Sequence, residues 1–295
     1  MEKSNNNEKL TKVGINWYPG HMAKTKRLIE ENLNMIDVVY ELIDARMPKS
    51  SKIKDIDNIL KNKKRILIMT KYDLCDRIIT NKWIKYYESL GFKVITVDLE
   101  HENVKKKIIK ATNEIMEDYN IKRIEKGLKV RKTRVLVVGI PNVGKSTLIN
   151  HLVGKKVVNT GNKPGITKNL DWIRIDNNVE LLDTPGILWP KLDQEITALN
   201  LASLSAIKEE ILPIDKVVTY ILETLSKYYP EILMNRYNLQ NVDNDITVTL
   251  DNIGKKRGCL VKGGIVDYDK VYTIIMNDIK LGIIKNTTFD RIDNE

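Results

Sequence analysis

Gly139-Ile140-Pro141-Asn142-Val143-Gly144-Lys145-Ser146 lies between an apolar run, Val135–Val138, and a helical stretch, Thr147–Val153. The spacing is G-x-x-x-x-G-K-[ST], in the strand-before, helix-after context that such a loop needs to hold phosphate. Glycines let backbone N–H groups approach an anion, and the helix start adds partial positive charge. On this reading Val143, Gly144, Lys145, Ser146 and Thr147 line the phosphates. Lys145 reaches the β and γ groups, and the Ser146 hydroxyl ligates Mg²⁺. A chance match is on the order of 1% for a chain this long.

Further motifs follow in order. Val179-Glu180-Leu181-Leu182 runs into Asp183-Thr184-Pro185-Gly186, a D-x-x-G at a strand end. Asp183 is expected to hold Mg²⁺ through water and the Gly186 N–H to face the γ-phosphate. Lys163-Pro164-Gly165-Ile166-Thr167 offers Thr167 as a first-switch threonine and Mg²⁺ ligand. Alone, each segment reads as an ordinary turn. Their order gives them weight.

Thr70-Lys71-Tyr72-Asp73 follows another apolar run, Ile66–Met69. The Asp73 carboxylate can accept from both N1–H and the 2-amino group of guanine. Adenine would leave it unpaired, and sites built this way discriminate by roughly 10⁴ or more. The ligand is therefore read as GTP, with GDP as product, and an ATPase or kinase is disfavoured. The Lys71 stem is expected to lie along the base plane. Thr70 stands where asparagine is more common, and its shorter hydroxyl predicts a weaker tie to the phosphate loop. The base motif precedes the phosphate loop, the reverse of the usual order. A domain tolerates such rejoining because its termini lie on the surface, often close together.

With these residues in view, the chain resembles the circularly permuted GTPases, specifically the ribosome biogenesis GTPase A family. The likeness spans nearly the whole chain. It includes Trp17-Tyr18-Pro19-Gly20-His21-Met22, Asp44-Ala45-Arg46-Met47-Pro48, Arg257-Gly258-Cys259-Leu260 and Gly263-Gly264-Ile265-Val266-Asp267. Departures fall at Thr70, at Val97-Asp98-Leu99 where a small Ser-Ala-type loop is usual, and from Lys280 onward, where basic positions are fewer. The resemblance implies an α/β P-loop GTPase fold with permuted motif order and a C-terminal all-α, RNA-binding domain. It also implies a GTP-hydrolysing factor in late maturation of the large ribosomal subunit, with the subunit precursor and its rRNA as partners. A GTP-dependent switch or scaffold acting on a protein partner, with little hydrolysis, is the alternative.

Ras-type enzymes orient the attacking water with a glutamine after the D-x-x-G glycine. Here that residue is Ile187, so hydrolysis must use another group or wait for a partner. The resemblance nominates His21, whose imidazole, with a pKa near ~6.5, suits positioning water at neutral pH. A loop anchor or rRNA contact is its other reading. His101 and His151 read as ordinary helix-start and loop-helix residues. Asn142 has two readings, a K⁺ ligand beside the phosphates as in related GTPases, or a local turn bond. The Asp44–Arg46 pair reads as structural support at a strand end.

Two cysteines, Cys75 and Cys259, lie far apart without C-x-x-C spacing, which argues against a disulfide or zinc module. No run approaches the ~18 apolar residues of a membrane helix, so the chain is read as cytoplasmic, ribosome-associated, monomeric and without a membrane partner. Net charge is +10, unevenly placed. Residues 1–194 carry 37 Lys and Arg against 24 Asp and Glu, a net +13, and residues 195–295 carry 12 against 15, a net −3. The densest stretch, Ile121–Arg134, reads equally as a phosphate-backbone stripe or a solvated lysine-rich face. Lys255, Lys256, Arg257 and Lys262 around Gly258 read first as the rim of a glycine-rich connection. The resemblance turns that reading toward RNA phosphates held at a helix start.

Apolar strands near 37–43, 66–70, 93–97, 134–139, 170–175 and 179–183 alternate with helical patterns near 23–34, 53–61, 79–90, 102–126 and 145–153, predicting a mostly parallel sheet covered on both faces. Helical spacing then dominates at about 195–209, 214–228, 229–237, 245–254 and 267–282. The expected division is an N-terminal segment at 1–21, a G domain at 22–188 and a helical domain at 189–295. The second switch would then run straight into the helical part.

Overall fold

The computed structural model describes residues 20–53, 56–60, 63–157, 172–182, 195–207 and 213–292, with side chains in the first helix from residue 26 onward. Its sheet has six strands: β1 Val38–Asp44, β2 Lys64–Thr70, β3 Lys93–Thr96, β4 Thr133–Gly139, β5 Trp172–Arg174 and β6 Val179–Leu182. Their spatial order is β3-β2-β1-β4-β6-β5, and every neighbouring pair is parallel except β5 with β6. The inverted motif order is thereby reconciled. The base-motif strand β2 and the phosphate-loop strand β4 flank the same central strand, β1.

Seven consecutive buried residues make up β1, as expected for a strand covered on both faces. Its one mid-strand charge, Glu41, faces Arg65 at 3.3 Å and Lys52 at 3.6 Å. Helices α1 Gly20–Asn32, α2 Ile56–Leu60, α3 Arg77–Ser89, α4 Val104–Glu125 and α5 Lys145–Val153 cover the sheet. On one face Trp83 and Tyr87 of α3 pack with Ile43, Leu67 and Met69. On the other, Tyr40 and Thr112 share a buried 2.6 Å hydroxyl bond that pins β1 to α4.

Downstream lie α6 Glu195–Ser203, α7 Ile214–Tyr228, α8 Pro230–Tyr237, α9 Ile246–Arg257 and α10 Tyr268–Lys280. Proline opens α7 and α8 where an amide hydrogen is not needed. A bidentate ion pair between Arg236 and Asp278 (2.7 and 2.6 Å) fastens α8 to α10. One feature had no sequence signal. Residues 284–292 leave α10 and return to the sheet domain. There the Phe289 amide donates to the Arg46 carbonyl at 2.8 Å, and the Trp83 indole donates to the Asp290 carbonyl at 3.2 Å. The buried Asp290 carboxylate accepts from the Lys49 amide (2.8 Å), the Ser50 amide (2.7 Å), the Ser50 hydroxyl (2.6 Å) and the Asn200 amide (2.9 Å).

Four donors converge on that one carboxylate. Its removal leaves buried N–H groups unsatisfied, each costing about 1–3 kcal/mol. Asp290→Ala is therefore expected to lower unfolding free energy by about 2–4 kcal/mol. Urea melts monitored at the tryptophans would show it. A loss below 0.5 kcal/mol, the usual surface-substitution range, would mean the tail does not hold the domains together.

Candidate nucleotide site

The parallel strands β2, β1 and β4 end on one edge of the sheet, and the motif residues sit there, where open α/β sheets take ligands. Gly139 closes β4 against β1. A side chain there would lie 2.9 Å from both the Leu42 carbonyl and a Val143 methyl, so only glycine fits. Gly144 enters α5 at φ +102°, a left-handed conformation that glycine adopts without penalty. Lys145 is buried in the loop, where its ammonium donates to the carbonyls of Gly139 (2.9 Å) and Ile140 (2.7 Å). Ser146 and Thr147 follow in the first turn of α5, the polarity a phosphate requires.

Thr70 ends β2. Its buried hydroxyl donates to the Val143 carbonyl at 2.7 Å, with the Ile43 carbonyl 3.2 Å away. The expected weak tie between base motif and phosphate loop is in fact short and fully buried. Strand register explains this. Asp44 pairs with Thr70 across β1–β2, and Leu42 pairs with Gly139 across β1–β4, so the two loops start close enough for a short side chain.

Lys71 takes a left-handed backbone (φ 55°), which is uncommon outside glycine and clusters at functional positions. Its ammonium lies 3.1 Å from the Asp44 carboxylate. Arg46 grips that carboxylate through Nε (3.0 Å) and Nη2 (2.9 Å), while its Nη1 donates to the Ile279 carbonyl at the end of α10 (2.8 Å). Burial alone would raise the Asp44 pKa, but Arg46 and Lys71 together hold it well below the usual carboxylate range. The pair read as strand-end support therefore also orients the base-motif lysine. The sequence signal was positional: Asp44 ends the strand beside Thr70, one residue before Lys71.

Asp73 is partly buried beside the loop after β3. Burial raises its carboxyl pKa above the ordinary range, and the nearby Asp98 and Glu100 carboxylates add to that, opposed by a hydrogen bond from its own backbone amide and by His101. Two N–H donors from a guanine edge would offset that burial. The departing segment Val97-Asp98-Leu99 is ordered by its own side chain. Asp98 accepts from the Glu100 and His101 amides (2.9 and 3.1 Å) and pairs with the His101 ring at 2.8 Å. Leu99 is buried against Gly144, closing the base loop onto the phosphate loop. His101 thus belongs to this turn and precedes the helix it was expected to begin.

Asn142 sits at φ 60°, and its amide nitrogen donates to the Ser205 carbonyl after α6 at 2.5 Å. That is a tie to the helical part rather than a local turn bond, and it leaves Oδ1 as the atom a cation would use. His21 falls in the first turn of α1, with its side chain outside the described residues. Thr167, Asp183 and Gly186 also lie outside them.

The basic segments divide. Arg131 forks onto Asp37 (2.9 and 2.6 Å), Arg134 bonds Glu180 at 2.8 Å, and Arg123 donates to the Lys129 carbonyl, so these arginines serve the fold. Lys122, Lys126, Lys129 and Lys132 remain exposed. In the distal loop, the expectation of phosphate at a helix start is corrected. Asp267 caps α10 and fills that terminus, whereas Lys255, Lys256 and Arg257 sit on the last turn of α9, where they complement its dipole.

Asp44→Asn should release Lys71 and Arg46 together. The expected result is about tenfold weaker GTP binding, roughly 1.4 kcal/mol, with preference over ATP intact because Asp73 is untouched. Fluorescent-nucleotide titration with competing ATP distinguishes this from unchanged affinity, which would reduce Asp44 to strand-end support.

Comparison with known proteins agrees with this geometry. Residues 134–256 match the family described as 50S ribosome-binding GTPase. Ribosome biogenesis GTPase A of Priestia megaterium is 45% identical over 277 residues, covering 94% of this chain and 96% of that protein. The protein of that name from Thermotoga maritima is 29% identical, covering 94% of both. Mitochondrial ribosome-associated GTPase 1 of Bos taurus is 32% identical over 250 residues, covering 81% of this chain and 74% of the bovine protein. Among solved structures, GNP-bound YlqF from T. maritima superposes with a TM-score of 0.65 at 26% identity, covering 92% of this chain and all of that one. The GDP-bound structure of YlqF gives 0.65 at 25% identity, covering 91% of this chain and all of its own. A base motif and a phosphate loop joined across one central strand, together with a 45% identical relative matched along 96% of its length, place the chain in the ribosome biogenesis GTPase A family.

Proposed function

We propose that this protein hydrolyses GTP as an assembly factor on the maturing large ribosomal subunit, associating with the particle in its GTP form and leaving after hydrolysis. The observation carrying this reading is the buried Thr70–Val143 bond, which joins a guanine-selective motif to a phosphate loop in the permuted order its relatives share. Gly139 and Gly144, where a Cβ would meet Leu42, Val143 and Leu99, let the phosphate loop pack closely against β1 and the base loop. In this reading Asp73 accepts from the guanine edge, Lys71 lies along the base, and Val143 through Thr147 surround the phosphates. Mg²⁺ would be held by Ser146 with Thr167 and, through water, Asp183, and it would neutralise charge on the phosphate oxygens. Gly186 would face the γ-phosphate. K⁺ at Asn142 Oδ1 is a further element; equal turnover in K⁺ and Na⁺ would reject it.

His21 positions the attacking water, and Ile187 leaves the isolated protein slow. The working unit is a cytoplasmic monomer, divided near residues 21 and 188, that contacts rRNA with the exposed lysines after α4 and the basic end of α9. Among the described residues, no helix is long and apolar enough to cross a membrane.

GTP turnover measured with and without purified large subunits tests the reading. Stimulation of about tenfold or more is expected, and His21→Ala should remove it, since a positioned proton-transfer group contributes about 10²–10⁴-fold. GTP binding by that variant should be unchanged. Turnover indifferent to subunits would favour the protein-switch alternative, and a stimulated His21→Ala enzyme would move His21 to a contact role.

A further inference from the structure

The Nε–Nη2 edge of an arginine is the side of the guanidinium whose two N–H groups run parallel and match two oxygens of one anion. Arg46 fills its edge with Asp44, and Arg236 fills its edge with Asp278. Arg291 does not. Its Nε and Nη2 are both buried and have no hydrogen-bond partner. Its guanidinium is held over the Tyr228 ring at 3.9 Å, with the Tyr229 ring at 5.2 Å. Ring contacts recover part of the solvation a buried cation loses, but they leave its N–H donors unmet, and buried donors of a charged group are costly to leave so.

Arg291 lines a cavity of about 380 Å³ between α7, the Lys49–Ser50 turn and the C-terminal tail. Lys227 and Lys49 line it too, and the Lys227 ammonium sits 5.0 Å from the same Tyr228 ring. Two cations therefore share one ring, with a third on the wall. The opposing charges are Glu223 and Asp290, and Asp290 already accepts four hydrogen bonds. Thr197 and Thr224 add hydroxyls. No residue of the phosphate loop or base motif takes part, so this is a place apart from the nucleotide.

We propose that this cavity is a second oxyanion site, taking one phosphate group on the Arg291 fork with Lys227 and Lys49 supplying the remaining charge. Three cations line the cavity against two carboxylates, which leaves it net positive, and the parallel N–H pair of the fork matches two oxygens of one phosphate. Seating it requires the guanidinium to turn on the Tyr228 face until the fork points into the cavity. The group can come from an RNA backbone or from free phosphate, and neither source depends on the assembly reading above.

The test uses the full chain saturated with a non-hydrolysable GTP analogue and Mg²⁺, so that nucleotide already fills the phosphate loop. Inorganic phosphate is titrated by calorimetry against chloride at matched ionic strength. Binding is expected, and about tenfold weaker in Lys227→Gln and in Arg291→Gln, the loss of one charge-assisted contact. Lys227 is an exposed helix residue, so its variant should fold even if the arginine variant does not. GTP turnover without subunits should be unchanged in both. If the same variants weaken binding of a 20-base-pair RNA duplex and phosphate competes with it, the source is RNA. If RNA binding is unmoved while phosphate binding falls, the source is free phosphate. No phosphate heat beyond chloride, or equal heat in wild type and Lys227→Gln, overturns the site.

Discussion

The Asp44 carboxylate is the point on which the described structure turns. It is fully buried at the end of the central strand, where an unpaired charge would be expelled from the fold or neutralised. It stays ionised because Arg46 and Lys71 both reach it. Each partner is committed elsewhere as well. Lys71 belongs to the base motif, and Arg46 also holds the carbonyl that ends α10. Such a network contributes little net stability, but breaking one limb leaves a buried charge and costs about 3–5 kcal/mol. Base motif, strand end and helical domain are therefore fixed together or not at all.

That constraint explains why chain order can be inverted. The nucleotide residues contact one another through space at the ends of β2 and β4, across a β1 that donates only Asp44 and backbone. Nothing in the Thr70–Val143 bond or the Leu99–Gly144 contact requires one loop to precede the other. Rejoining the termini changes which segments are covalent neighbours. The segment after β6 becomes the one that leads into the helical part. The ties from the sheet-domain loops include Asn142 to Ser205, Arg46 to Ile279 and the Lys49–Ser50 turn to Asp290.

How much of this was legible follows from the range of each interaction. Strands read from runs such as Ile66–Met69 and Val135–Val138 were found because burial on both faces demands an unbroken apolar run. The phosphate loop was legible because its backbone needs glycine at fixed spacing. Thr70 was misjudged because a side chain's adequacy depends on the gap it spans, and register sets that gap rather than residue type. Arg131 and Arg134 read as free charge because Asp37 and Glu180 lie 94 and 46 residues away. The distal loop failed differently. Its Asp267 was in plain sight as a helix cap, yet the glycines and lysines beside it suggested an anion where the chain had already supplied one. The returning tail, whose Asp290 organises a cluster of donors, carries no periodicity at all.

These long-range ties bear on how a ribosomal particle could act on the nucleotide. Asn142 sits in the phosphate loop, Arg46 stands behind the base-motif lysine, and each is bonded to the helical part. Displacing that part by an ångström would stretch the 2.5 Å bond from Asn142 and the 2.8 Å bond from Arg46 past useful length. Position of the helical domain and shape of both nucleotide loops are therefore one equilibrium with two handles. A partner that prefers one helical arrangement must change nucleotide affinity, and by linkage the nucleotide changes partner affinity by the same factor. Ionic ties behind Lys71 and a backbone tie at Asn142 make that coupling specific to the ends of the nucleotide, base and phosphate, where loss of one phosphoryl group has to be felt.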